Sequence, residues 1–261
     1  MERLEVLKTY KIYIGGKFPR TESGRFYNPL NSKGEQLGNI CLSSRKDVRN
    51  SVVAARKAFG GWSERAANNR GQILYRIAEM LEGRKTQFIE ELMFQGSTKK
   101  AAENEVNVSI DRLIYYAGWC DKYMQVLGSI NPVASSHFNF SMHVPMGVIG
   151  VVADQTTSLI GLVSNIAPVI AGGNTCVVLS AENLPLCAIT FAEVLNSSDV
   201  PGGVVNILTG SPAEMIKPLT THMDVNGMVY SGNDRSTIKE LKESSALNLK
   251  RIMTYDEDWI K

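Results

Sequence analysis

Apolar residues recur at three- and four-residue intervals along the first half of the chain, then gather into short unbroken runs along the second. Ser44 followed by Asp47 resembles a capping box in which the shorter aspartate stands in for glutamate. The stripe Val48, Val52, Ala55, Phe59 follows at helical spacing, and Gly60 and Gly61 are expected to stop it. A second helix carries Ile73, Leu74, Ile77, Ala78 and Leu81 on one face; a third is expected over residues 85–93 and a fourth over 109–119. Such stripes are core faces far more often than cofactor contacts. Ahead of them, residues 11–14 with the Gly15-Gly16 pair predict a short strand and turn. Residues 19–42, rich in Gly, Pro, Asn and Ser, predict an extended loop with short strands.

Residues 124–144 are polar and punctuated by Pro and Gly, and the alternation from His137 to Met142 predicts a hairpin. From Met146 onward strand and helix alternate. Strands are expected at 148–153, 175–179, 204–208, 227–230 and 250–254, with helices at 159–171, 186–195, 213–219 and 236–243. Short apolar strands separated by helices predict an α/β protein whose parallel sheet is covered on both faces. No internal repeat or low-complexity tract interrupts this.

Composition narrows the function classes. The 261 residues are 44% hydrophobic and 21% charged, with a net charge of +2 and both signs mixed along the chain. That is the balance of a globular protein with its own core, and it gives no electrostatic case for nucleic acid or an anionic membrane. The four cysteines, Cys41, Cys120, Cys176 and Cys187, lie far apart with no ligand-like spacing, so neither a metal site nor a disulfide framework is expected. The first ten residues alternate charged and apolar side chains without the apolar segment of a leader. The longest apolar run, 159–171, is broken by Ser164, Asn165 and Pro168. A cytoplasmic location is the expectation.

An ordered series of motifs goes further. Gly147-Val-Ile-Gly150 opens a strand; Ala167-Pro168 and Ala171-Gly-Gly-Asn-Thr175 follow; then come Ser180-Ala-Glu182 and Val200-Pro-Gly-Gly-Val-Val-Asn-Ile-Leu-Thr-Gly210. The first half adds Tyr13-Ile-Gly-Gly16, the Ala54-to-Phe59 helix and Trp62. The series resembles the aldehyde dehydrogenase superfamily over nearly the whole chain, and in feel the short second copy of its two-copy members (the family numbered sixteen). The resemblance implies a Rossmann-like cofactor-binding domain over residues 1–123 and 146–261, with N-terminal helices. It further implies an oligomerisation hairpin over 124–145, with the catalytic domain absent.

In that family a cysteine thiolate attacks the aldehyde, an amide stabilises the oxyanion, hydride passes to a nicotinamide, and a glutamate activates water. None of the four cysteines stands in a motif like the nucleophile's. The family's Pro-Trp-Asn-Phe-Pro stretch falls on Asp154-Gln-Thr-Thr-Ser158, which puts Thr156 at the amide's place. Loss of such a donor costs on the order of 10²–10³ in rate. The ribose-side lysine is replaced by Leu179, and Glu182 is retained. After Asn248-Leu-Lys-Arg251, Tyr255 falls on the general-base glutamate, and an ordinary phenol, with a pKa of about 10, is a poor base at neutral pH. Asp256 and Glu257 are the nearest carboxylates; if the strand continues, only Glu257 shares a face with Tyr255. At the pyrophosphate turn, Tyr230-Ser-Gly-Asn-Asp-Arg235 puts Asn233 at the serine's place and adds Asp234, a carboxylate suited to cap the helix and repel an anion. Arg235 offers a partial offset.

The resemblance therefore assigns no catalytic residue and no metal ligand, and leaves Glu182, Gly210 and Gly232 as candidate cofactor contacts. Each has a plainer reading: Glu182 flanks a helix, and the glycines serve strand–helix turns. The expected function is a non-catalytic subunit that requires no cofactor and pairs with a full-length aldehyde dehydrogenase, or with itself, through the hairpin. The alternatives are an NAD(P)-dependent aldehyde dehydrogenase and a nucleotide-binding sensor that kept affinity without chemistry.

Overall fold

In the computed structural model, residues 6–261 are described. The charged opening stretch, expected to lack a leader's apolar segment, begins in residues 1–5, outside the described residues. Three short strands come first: β1 (Thr9–Tyr10), β2 (Phe26–Tyr27) and β3 (Asn39–Cys41), ordered β1-β3-β2. Residues 11–14 are not a strand of their own. Tyr13 and Ile14 make isolated bridges to Ile207 and Lys17, the second closing over Gly15 and Gly16 at φ 61° and 78°.

Helix α1 (Arg45–Ser63) begins as expected. The Asp47 carboxylate accepts from the Ser44 N–H at 2.7 Å and from the Ser44 hydroxyl at 2.8 Å. It does not stop at the glycine pair but runs through Gly60 and Gly61. Trp62, fully buried, donates from Nε1 to the Ile170 carbonyl at 3.0 Å, and that anchor outweighs the poor helix propensity of two glycines. Helices α2 (Ala67–Gly83) and α3 (Lys85–Phe94) match expectation, with Ile73, Leu74, Ile77, Ala78 and Leu81 buried on α2. Helix α4 (Lys99–Trp119) starts ten residues before the expected 109, at a Thr98 cap that accepts from the Ala101 N–H.

The hairpin is shorter than residues 124–144. Helix α5 (Tyr123–Leu127) takes its first residues, and β4 (Ser129–Asn131) pairs antiparallel with β5 (Asn139–Ser141), Ile130 opposite Phe140. Its apolar side chains face solvent, Ile130 at 73% and Phe138 at 72% exposure.

The rest is strand–helix alternation: β6 (Val148–Val152), α6 (Ile160–Ala171), β7 (Thr175–Leu179), α7 (Leu186–Asn196), β8 (Val205–Leu208), α8 (Pro212–Thr221), β9 (Gly227–Ser231), α9 (Arg235–Ala246) and β10 (Arg251–Tyr255). The five strands form one parallel sheet ordered β10-β9-β6-β7-β8. Side chains alternate between two cores, as the pleat requires. Ile149, Val151, Cys176 and Val178 join Leu74, Leu113, Ile166 and Phe191 on one face. Val148, Val152, Val177 and Leu179 join Val52, Met215 and Leu241 on the other. The chain builds outward from β6 to β8, then returns to place β9 on β6's opposite side. The strand order thus reverses between β6 and β9, where open α/β sheets bind ligands at the carboxyl ends of their strands.

Candidate functional site

All five strands are parallel, so the segments that follow Val152, Leu179, Leu208, Ser231 and Tyr255 share one edge of the sheet. Every candidate from the sequence stands there, and the crevice between β6 and β9 is flanked by the amino ends of α6 and α9.

Both helix ends are already filled by the chain's own carboxylates. At α9, Asp234 accepts from the Thr237 N–H at 2.8 Å and from the Ser236 hydroxyl at 2.7 Å. Those hydrogen bonds, Thr237's first, hold its pKa down at about 2. At α6, Glu105 reaches over from α4 and accepts from the Leu159 and Ile160 N–H groups at 2.8 and 3.1 Å. Backbone amides at a helix start are the usual anion cradle; here those of Thr237, Leu159 and Ile160 are turned onto the chain's own carboxylates. Asn233 turns its amide to Asp256 at 3.1 Å, and Arg235 is exposed.

The loop after β6 is likewise engaged. Thr156 and Thr157 each donate from their hydroxyl to Asp154 Oδ2, at 2.7 and 2.8 Å. Gln155 bridges the Ala153 carbonyl and the Glu182 N–H. A hydroxyl has one proton to give, and that of Thr156 points at a carboxylate rather than at the crevice.

Leu179 is buried at the end of β7. Glu182 is half-buried; its backbone carbonyl accepts from the Tyr27 hydroxyl at 2.9 Å, while its carboxylate takes no hydrogen bond among the described residues. Gly210 has φ 124°, and a Cβ there would lie 2.9 Å from Leu42 Cδ1 and 3.2 Å from the Ser43 nitrogen. Close passage of the chain entering α1 thus demands glycine whether or not a ligand binds. A Cβ at Gly232 would meet the Tyr230 ring at 2.9–3.2 Å.

Tyr255 closes β10 and stands edge-on to Trp259, ring centroids 6.1 Å apart. Strand geometry ends with it, so Glu257 does not share its face by alternation; it lies exposed in the following segment. Beside Tyr255 a cavity of about 330 Å³ opens between α6 and the β9–β10 edge, lined by Tyr116, Asn165, Met253 and Trp259. The cysteines are all free and buried, and burial pushes the thiol of Cys120 up to about 11 and raises those of Cys176 and Cys187 well above the ordinary value. A thiol so placed supplies no thiolate. Among the described residues no group of three or more potential metal ligands occurs, and no helix is long and apolar enough to cross a membrane.

Sequence reasoning missed Glu105, because the polar opening of α4 hid the helix that carries it. Thr98, a good cap residue followed by Ala101 and Ala102, was the available signal.

Residues 19–254 match the family model described as the aldehyde dehydrogenase family. The chain belongs to that family. Among curated relatives, DhaS of Bacillus subtilis (strain 168) is 32% identical over 249 residues, covering 94% of this chain and 50% of the relative. Cytosolic 10-formyltetrahydrofolate dehydrogenase of Mus musculus is 31% identical, covering 97% of this chain and 29% of the relative. Among solved structures, the NAD+ complex of an aldehyde dehydrogenase from Bacillus cereus superposes with a TM-score of 0.89 at 25% identity, covering 95% of this chain and 50% of that one. HpcC from Thermus thermophilus gives 0.90 at 28% identity, covering 95% and 48%. The chain thus spans about half the length of these two solved structures, and its parallel sheet with helices is Rossmann-like.

Proposed function

We propose that this chain is a non-catalytic member of the aldehyde dehydrogenase family, acting as a structural or regulatory subunit beside a full-length relative or a second copy of itself. One observation carries the reading: at the position matching the family's oxyanion amide, the side-chain proton, on Thr156 Oγ1, is given to Asp154. A carboxylate there also repels a developing oxyanion. Leu179 and Tyr255 add a ribose contact removed and a base replaced. These positions lie within this chain, so a partner that supplied a nucleophile would not restore them.

The same reading holds that no dinucleotide is required. Asp234 takes the Thr237 amide at the start of α9, where a pyrophosphate would dock, and Glu105 takes the Leu159 and Ile160 amides at the start of α6. Glu182, Gly210 and Gly232 are the positions at which a nucleotide would still be met. The unpartnered Glu182 carboxylate favours a second reading, a nucleotide-binding sensor, in which it would accept ribose hydroxyls. Residues 124–145 are assigned as the pairing segment, separate from the sheet domain of 1–123 and 146–261. The exposed Ile130, Phe138 and Phe140 and the open strand edges support this. Four free buried thiols suit a reducing, cytoplasmic compartment.

The test is direct. Purified protein, alone and mixed with a full-length aldehyde dehydrogenase, is assayed for aldehyde-dependent nicotinamide reduction, for NAD and NADP binding by calorimetry, and for mass by light scattering. No turnover by the chain alone is expected, together with a mass above monomer for the chain alone or, in the mixture, a mass above that of the full-length enzyme by itself. Turnover that disappears on Tyr255→Phe or Glu257→Gln would end this reading, and tight NAD binding without turnover would establish the sensor.

A further inference from the structure

A second concave surface lies away from the strand ends, between α1 and the carboxyl end of α8. It encloses about 390 Å³, and Arg45, Lys46, Arg49, Thr221 and His222 are among its walls. The three cations follow one another at positions i, i+1 and i+4 of the first two turns of α1, so they share a face. That placement is unfavourable for the helix by itself. The amino end of a helix carries positive partial charge, and like charges four residues apart repel.

No carboxylate among the described residues pairs with them, and Arg49 alone is engaged, its Nε and Nη2 donating to the neutral Asn50 Oδ1 at 3.2 and 3.0 Å on the exposed surface. Arg45, Lys46 and Arg49 form none of the ion pairs in the structure. Asp47, the acid in the same turn, is buried and turned inward onto Ser44 and the Glu22 N–H. Asp224, beyond His222, pairs with Arg56 at 3.9 Å. A plainer role, neutralising the carbonyls at the end of α8, is already filled. Lys250 Nζ donates to the His222 carbonyl at 2.6 Å, and Asn248 Nδ2 donates to those of Thr220 and Thr221 at 3.5 and 3.4 Å. The Thr221 hydroxyl donates to Lys217 O. His222 Nδ1 accepts from the Asp224 N–H at 3.2 Å, which places the ring proton on Nε2 as a donor.

We propose that this cleft binds a small polyvalent phosphate anion from solution, held by Arg45, Lys46 and Arg49 with His222 Nε2 as a neutral donor. Planar guanidinium forks match phosphate oxygens in pairs, and a recessed cleft of this size admits a diphosphate or a small phosphate ester. The site is independent of the strand-end crevice, where the chain's own carboxylates stand.

The probe is pyrophosphate, titrated calorimetrically into the full chain at fixed ionic strength, with sulfate as the control for simple screening. One-to-one binding is expected, weakened at least tenfold in R45Q/R49Q and unchanged in R235Q, which alters the strand-end crevice instead. The thermal midpoint of unliganded R45Q/R49Q should equal or exceed that of the parent, because uncompensated repulsion is removed. Absence of pyrophosphate binding to the parent would overturn the proposal, as would binding that R235Q abolishes and R45Q/R49Q does not. A fall in the unliganded midpoint of R45Q/R49Q would show structural partners for these arginines and overturn it equally. So would binding seen only to phosphatidic-acid vesicles, which would assign the charges to a lipid surface.

Discussion

Thr157 Oγ1 lies 2.8 Å from Asp154 Oδ2 and accepts in turn from the Gly161 N–H at 3.1 Å, so the loop after β6 is folded tightly onto the first turn of α6. A Cβ on Gly161 would come within 2.6 Å of that hydroxyl and 2.7 Å of Asp154 Cβ. Helix propensity alone says that Gly161→Ala stabilises by about 1 kcal/mol. Packing says the reverse, by about 1–3 kcal/mol, because the loop must move. We expect the packing term to win, with a lower urea midpoint and an unchanged slope. A stabilised Gly161→Ala would show that the loop, and with it the Thr156–Asp154 bond, is not held as described.

Asp234 makes the start of α9 acid-sensitive. Its pKa, held near 2 in the folded chain by Thr237 and Ser236, lies below the ordinary aspartate value of about 3.9. A depressed acid contributes stability that is present above its unfolded pKa and lost as pH falls through its folded one. Protection factors at the first turn of α9, taken relative to the intrinsic exchange rate at each pH, should therefore fall between about pH 4 and pH 2. In Asp234→Ala they should be low throughout, with no step in that window. Equal protection in the two proteins at pH 6 would remove the cap from the account of this helix.

Those two positions show what the sequence carried and what it did not. Residues 175–179 were legible to the residue because a parallel strand buried on both faces reads as a short apolar run, here Cys176 to Leu179, entered through Thr175 after the Gly172-Gly173 turn. The first ten residues of α4 were not, since one of the side chains that helix buries there is Glu105, whose partners are amides fifty residues away. The glycine pair in α1 misled because a local stop signal was overruled by the distant carbonyl that Trp62 reaches. At the strand ends, Asp234 as a cap followed from its place before a helix. The Thr156–Asp154 bond depends on the path of a loop, which no periodicity encodes.

Glu91 predicts a pH response of opposite sign. Thr190 donates to its Oε1 at 2.6 Å, but Oε2 is buried without a partner, and burial raises its pKa above the ordinary carboxylate value. Glu193 nearby is itself paired with Lys8 and Arg84, at 3.3 and 2.5 Å. A raised acid contributes stability that is fully present below its unfolded pKa, near 4.3, and lost as pH rises through its higher folded value. Glu91→Gln cannot ionise. It should match the parent near pH 4 and exceed it in thermal midpoint at pH 8. A mutant less stable than the parent at pH 8 would mean that the charged form is welcome in this pocket.

The passage of α1 through two glycines yields a paired test in which the signs differ. Added Cβ atoms at Gly60 and Gly61 meet nothing within 4 Å, so Gly60→Ala and Gly61→Ala should each stabilise by about 1 kcal/mol, as alanine does in a formed helix. Trp62→Phe should do the opposite. It removes one of the donors to the Ile170 carbonyl, in the last turn of α6, which keeps the Gly173 N–H at 3.0 Å, and it opens space beside a residue only 1% exposed. The lost hydrogen bond costs about 0.5–1.5 kcal/mol and the lost volume adds more, so a total of about 2–4 kcal/mol by urea unfolding is expected. Were the helix to end at residue 59, the alanine variants would gain nothing and Trp62 would sit in a loop able to repack. Stabilisation by both alanines together with a large loss at Trp62 is the combination that only a continuous, anchored helix produces.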